Sequence, residues 1–115
     1  MDHDPNCIFC RIVAGLIPSR KVVEDDELLV FHDIAPWAPV HVLMIPKSHV
    51  ASLYDIDASW APLLGRMLAM APDLMRQLGV TNGFRTLVNT GSDGLQEVGH
   101  VHIHVMGGPR PWAKG

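Results

Sequence analysis

The chain has 115 residues, 48% of them hydrophobic, with nine Lys and Arg against twelve Asp and Glu, a formal net charge of −3 and a pI near 6.1. That length holds one compact domain, residues 1–115, with enough apolar material for a core. The acidic balance and scattered cations argue against a surface that wraps nucleic acid, and no apolar run approaches the roughly 20 residues that cross a bilayer, so neither nucleic acid nor membrane is an expected partner.

In chain order, Met1-Asp2-His3-Asp4-Pro5-Asn6 is acidic and polar and lacks the basic start and apolar stretch of a secretory signal. With only two cysteines, Cys7 and Cys10, the chain is not patterned as a disulfide-stapled secreted domain, and a cytoplasmic location is expected. A short helix is predicted over Ile8 to Ala14, ended by Gly15. Two strands follow, Val22 to Glu24 and Glu27 to His32, around a turn at Asp25-Asp26, and a third spans His41 to Ile45. Beyond Asp57, a predicted N-cap, Trp60, Leu63, Leu64, Met67, Leu68, Ala71, Leu74, Met75 and Leu78 recur at three and four, which marks an amphipathic helix running to Gly79. Pro72 is expected to kink or split it. Gly83 to Asn89 and His100 to Met106 give the last two strands, joined by a polar, glycine-rich loop. Strands, one long helix and strands again predict an α+β fold, an antiparallel sheet covered on one face.

The long helix also bears on assembly. At about 100° per residue its large apolar side chains span a face roughly 160° wide, while the other side carries Ala61, Pro62, Gly65, Ala69 and Pro72 with only Arg66, Asp73 and Arg76 for charge. A solvated helix usually carries more charge, so a homodimer burying part of this second side is expected; an indifferent surface is the alternative.

Three histidines alternate with aliphatic residues in His100-Val101-His102-Ile103-His104-Val105-Met106. On a strand they share one face, with neighbouring Cα atoms about 6.6 Å apart. The pattern fits an ordinary half-buried strand, a three-histidine catalytic metal site, or a wall that works on phosphate. A histidine that attacks phosphorus needs one ring nitrogen unprotonated and the other donating to a fixed acceptor, and the middle residue of such a set is best placed. Cys7-Ile8-Phe9-Cys10 reads as a redox pair, a coincidence, or half of a tetrahedral zinc site that two histidines would complete; the polar hexapeptide before it supplies no thioredoxin-like context.

The triad with its leading segment Asn89 to Gly99, the following Gly107-Gly108, Phe31-His32-Asp33-Ile34, the run from Ala38 to His49, and Trp112 together resemble the histidine-triad (HIT) nucleotide-binding family over nearly the whole chain, with a pattern most like its Hint, nucleoside phosphoramidase branch. The resemblance implies a five-stranded antiparallel sheet with one long and one short helix, extended across a homodimer. It implies hydrolysis of purine nucleoside phosphoramidates through a nucleoside-5′-phosphohistidine on His102, with His104 contacting the transferred phosphate and helping the leaving group depart, and His41 supporting the nucleophile. Asn89 would place an amide near the phosphate, Asp33 would accept both ribose hydroxyls, and Ile8, Phe9, Phe31 and Ile34 would wall the base. Without the resemblance, His41 reads as a surface or half-buried strand residue, Phe9, Phe31 and Ile34 as core, and Gly91 to Gly94 as a plain turn.

Some members of the superfamily carry structural zinc on positions matching Cys7, Cys10, His49 and His100, and all four are filled here; no organic cofactor is implied. Two other functions stay open: hydrolysis of dinucleoside polyphosphates, and a non-catalytic purine-nucleotide-binding interaction protein. Glu97 departs from the Hint pattern, which usually has a hydroxyl residue three before the first triad histidine. An ionised carboxylate cannot donate and would repel phosphate if it pointed inward; the alternative is that it faces solvent.

Overall fold

In the computed structural model, which describes residues 2–115, the two central strands are near-continuous apolar runs because both of their faces are covered. A short helix α1 (Ile8–Val13) precedes strands β1 (Lys21–Glu24), β2 (Leu28–His32) and β3 (Val40–Pro46). Two 3₁₀ turns, Leu53–Asp55 and Ala58–Trp60, lead into α2 (Ala61–Gln77), followed by β4 (Phe84–Leu87) and β5 (Ile103–Gly107). The strands form one antiparallel sheet in the order β1-β2-β3-β5-β4.

Register assigns each side chain to a face. Phe31 lies opposite Leu43, Leu43 opposite His104, and His41 opposite Met106, so Leu29, Phe31, His41, Leu43, Ile45 and His104 share one face. Cys7, Phe9, Cys10 and Ile12 around α1 pack on it. Leu28, Val30, Val42, Met44, Ile103 and Val105 point the other way, against Met67, Ala71, Leu74 and Met75 of α2. The expectation of a sheet covered on one face is therefore corrected: α2 covers one face, and α1 with the histidines covers part of the other. The five strands, one long helix and one short helix are as expected.

The β1–β2 turn forms where Asp25-Asp26 predicts it, because Asp25 Oδ1 accepts the amides of Glu27 and Leu28 at 2.8 and 3.0 Å. Arg66 of α2 donates to Asp25 at 2.8 Å and Glu27 at 3.1 Å, and its guanidinium holds the Asp25 carboxyl at about 2. Arg66 thus ties α2 to the hairpin and is not a free charge on the outer side.

Beyond shifts of one or two residues at element ends, three points differ from the sequence reading. Asp57 caps the Ala58–Trp60 turn through the Ser59 amide and does not cap α2, whose N-cap Trp60 makes no side-chain bond. Pro72 does not split α2. The bond it cannot donate belongs to the carbonyl of Leu68, which sits on the solvent side, 49% exposed, where water can replace it. The last strand begins at Ile103, so His100 and His102 precede it; there Val101 donates to the Val50 carbonyl at 2.8 Å in place of a β3 partner.

The turn after β5 packs closely. A Cβ at Gly107 would meet Val80 Cγ1 at 2.5 Å, so only glycine lets β5 pass under Val80. Among the described residues, the outer edge of β4 has no strand partner, and no helix is long and apolar enough to cross a membrane.

Candidate active site

A cleft of about 760 Å³ opens on the face carrying His104. The N-terminal end of α1, the end of β2, β3, β4, the Asn89–Val98 loop and the segment before β5 contribute its walls, and among the lining residues are Ile8, Phe9, Phe31, Asp33, Ile34, Asn89, Glu97, His102 and His104. All six expected substrate residues thus border one cavity with two of the three expected catalytic histidines; His41, 2% exposed, lies directly behind His104. The walls differ in kind. Phe9 and Phe31 are buried and meet edge to face, whereas Ile8 and Ile34 are 47% and 98% exposed and form a rim. Trp112, part of the family-like pattern, lies elsewhere: its indole donates to the Gly108 carbonyl at 3.0 Å and borders a second cavity beside β4.

Hydrogen bonds fix the tautomer of each buried ring. His102 Nδ1 lies 2.7 Å from the His100 carbonyl, and a carbonyl only accepts, so Nδ1 carries the proton and Nε2 keeps its lone pair. The Trp37 amide donates to His41 Nδ1 at 3.0 Å, which puts the proton of neutral His41 on Nε2. That N–H donates to His104 Nδ1 at 2.9 Å, leaving neutral His104 with an N–H at Nε2. One ring therefore offers a nucleophilic nitrogen and its neighbour a donor, with ring centroids 4.9 Å apart. Asp33 Oδ2 stands 3.5 Å from His41 Nε2, while Asp33 Oδ1 accepts the Ala35 amide at 2.8 Å.

Burial holds these rings neutral. His104 and His100 are pushed down to about 4, and His41 and His102 are lowered by the same loss of solvent. The carboxylates of Asp33 and Glu97 act against burial at His102, and Glu97, exposed as a residue, borders the cleft.

The other two expectations meet behind α1. Cys7, Cys10, His49 and His100 bring their donor atoms within 4.8 Å of one another. Cys7 Sγ and Cys10 Sγ lie 3.4 and 3.6 Å from His100 Nδ1, Cys10 Sγ lies 3.3 Å from His49 Nδ1, and the two Nδ1 atoms are 3.3 Å apart. A tetrahedral ion with bonds of about 2.0 to 2.3 Å needs ligand separations of about 3.3 to 3.8 Å, so the set could hold a metal as it stands. The surroundings also suit ligation. His100 Nε2 donates to the Pro46 carbonyl at 2.8 Å, which frees Nδ1, and the amides of Asp4 and Cys10 point at the two sulfurs. Four protein donors leave no position for water.

A family model described as HIT domain matches residues 14–110. The chain belongs to the HIT family. It is 51% identical over 104 residues to Protein HitA of Neisseria gonorrhoeae, covering 90% of this chain and 97% of that one. It is 42% identical over 103 residues to a 14 kDa zinc-binding protein of Brassica juncea, covering 88% and 91%. The crystal structure of a HIT family hydrolase from Legionella pneumophila Philadelphia 1 superposes with a TM-score of 0.87 at 42% identity, covering 91% of this chain and 95% of that one.

In this HIT domain, sequence reasoning missed Trp37. Its ring stacks on His104 with centroids 5.6 Å apart and 23° between planes, and its amide sets the His41 tautomer. It lies in a turn that has no periodicity; the available signal was one large aromatic among Ala35, Pro36, Ala38 and Pro39, four residues before His41. Lys114, with its ammonium 5.4 Å from the Trp37 centroid, also borders the cleft.

Buried neutral histidines make this HIT domain sensitive to acid. Unfolded histidines take up protons near 6.5 but folded His104 only near 4, so the unfolded state binds more protons in between and stability falls as pH drops through that window. The melting temperature should fall between about pH 7 and about pH 5, and by less in His104→Gln, which lacks one such ring. Equal falls in both proteins would count against a buried neutral His104.

Proposed function

We propose that the protein hydrolyses purine nucleoside phosphoramidates through a nucleoside-5′-phosphohistidine on His102. The observation that carries this reading is the His102 Nδ1–H bond to the His100 carbonyl, which leaves an unprotonated Nε2 on the wall of a nucleotide-sized cleft. The Legionella relative, named as a HIT family hydrolase, supports the reaction class.

The nucleoside enters with its base between Phe9 and Phe31 and the rim residues Ile8 and Ile34, and its ribose hydroxyls donate to Asp33. His102 Nε2 forms a bond to phosphorus while the P–N bond to the amine breaks. His104, held as the Nε2–H tautomer, donates to the phosphoryl group and relays a proton from water to the departing amine; Asn89 adds an uncharged donor. Water then attacks phosphorus, the bond to His102 breaks, and a nucleoside monophosphate and one proton leave. His41 acts through His104, whose tautomer it fixes. His102→Ala should lower turnover of adenosine 5′-phosphoramidate by at least about a thousandfold while still binding the monophosphate. Rapid-quench mass spectrometry should find the nucleotidyl adduct on His102. Near-normal turnover in the variant would overturn the assignment, and faster cleavage of diadenosine polyphosphates would overturn the substrate.

We also propose that Cys7, Cys10, His49 and His100 hold a structural zinc ion, supported by donor spacing, by the amides aimed at sulfur and by the name of the Brassica relative. Zinc would join the N-terminal segment to the loop after β3 and the start of the triad. Metal analysis should give about one zinc per chain, and chelation should lower the melting temperature more than the rate of the folded fraction. Protein purified anaerobically with little zinc would refute this.

The unpaired edge of β4 and the small residues on the outer side of α2 support a homodimer whose sheet continues through β4. Sedimentation at low micromolar concentration should give twice the 12.6 kDa chain mass. Nothing lies within 4 Å of a Cβ at Gly65, so Gly65→Glu fits the isolated chain and should shift the protein toward monomer. Wild-type sedimentation as a monomer would overturn the proposal.

A further inference from the structure

The loop between β4 and β5 turns two side chains, Leu95 and Glu97, into the cleft, and the proposed reaction uses neither. The loop holds them in place. Gln96, between them, accepts the Gly91 amide at 3.0 Å and donates to the carbonyls of Ala51 and Val98 at 2.7 and 2.9 Å. Leu95 is 76% exposed and has a φ of 61°, a left-handed conformation that a branched residue adopts only when its surroundings impose it. An apolar side chain is therefore held at the cleft wall with most of its surface free, two residues from a carboxylate.

Charge in the cleft is divided. Asp33 lies at the ribose end beside His41, and Lys114 lies over Trp37, which stacks on His104. Glu97 borders the same cleft as His102, the ring at which the leaving group must depart, and among the described residues no cation forms an ion pair with it. A polyphosphate leaving group would meet Glu97 as a like charge. An aliphatic amine with a second ammonium would meet it as an opposite charge, with its methylenes against Leu95.

We propose that Leu95 and Glu97 form a leaving-group subsite that selects phosphoramidates of aliphatic amines carrying a second positive charge. This rests on the phosphoramidase reading above and narrows its substrate class. The chemistry is unchanged: the P–N bond breaks as His102 bonds to phosphorus, and the diamine takes its proton by way of His104.

The test compares adenosine 5′-phosphoramidates of 1,6-diaminohexane and hexylamine, which differ only at the distal end. Wild type should favour the diamine by about two- to fivefold in kcat/KM at low salt, the range of a partly exposed ion pair, and less at high salt. Glu97→Gln should bring the ratio toward one and Glu97→Lys should invert it. His102→Ala, which cannot turn over, should bind the diamine compound more tightly by a similar factor in calorimetry. Equal kcat/KM together with equal affinities would overturn the subsite while leaving the hydrolase reading intact, as would a preference that survives in Glu97→Gln. Absence of turnover with a retained affinity difference would instead overturn the hydrolase reading and leave the subsite standing.

Discussion

Backbone groups decide which nitrogen each histidine keeps free, and the site depends on that constraint. The Pro46 carbonyl accepts from His100 Nε2–H, the His100 carbonyl accepts from His102 Nδ1–H, and the Trp37 amide donates to His41 Nδ1. A carbonyl cannot donate and an amide cannot accept, so each choice is binary. With burial keeping the rings neutral, each therefore presents one defined function outward: a sulfur-facing lone pair from His100, a cleft-facing lone pair from His102, and a cleft-facing N–H from His104. Side-chain partners that could reverse their roles would leave these tautomers in exchange.

Such bonds need backbone that does not move; Pro46 ends β3, while Trp37 and His100 lie outside the sheet but are tied to it through His41 and the Pro46 carbonyl. Burying β2 and β3 on both faces removes the freedom to slip register, because a shift by one residue would carry His41 and His104 into the packing around α2 and bring Val42 and Val105 into the cleft. The residues facing α2 thus protect the geometry of residues they never touch.

Much of this was legible in the sequence. The period of α2, the apolar runs of β2 and β3 and the Asp25 turn are local signals, and each forms where it is read. The convergence of Ile8, Phe9, Phe31, Asp33, Ile34, Asn89 and the triad was legible only through family pattern, since spacing within one strand says nothing of what a distant helix or loop brings to it. Strand periodicity even misled at His100 and His102, which precede β5 and flank Val101, whose amide bonds to Val50. Their direction comes from tertiary contacts, the sulfurs in one case and a carbonyl two residues back in the other. Trp37 and Leu95 were missed for the same reason, because turns have no period and a left-handed leucine looks like any other leucine in the sequence.

Two clusters share three consecutive residues. The carbonyl that orients His102 belongs to His100, whose ring is held among Cys7, Cys10 and His49. Rotating the His100 peptide would pull its ring from that cluster and withdraw the acceptor from His102, so the cluster resists any motion that frees the His102 tautomer. That coupling gives a physical reason for a closed set of four donors to sit behind the cleft: it immobilises a backbone oxygen without lining the cavity. By the same geometry, as long as the fold holds the His100 peptide in place, its carbonyl continues to fix the tautomer of His102.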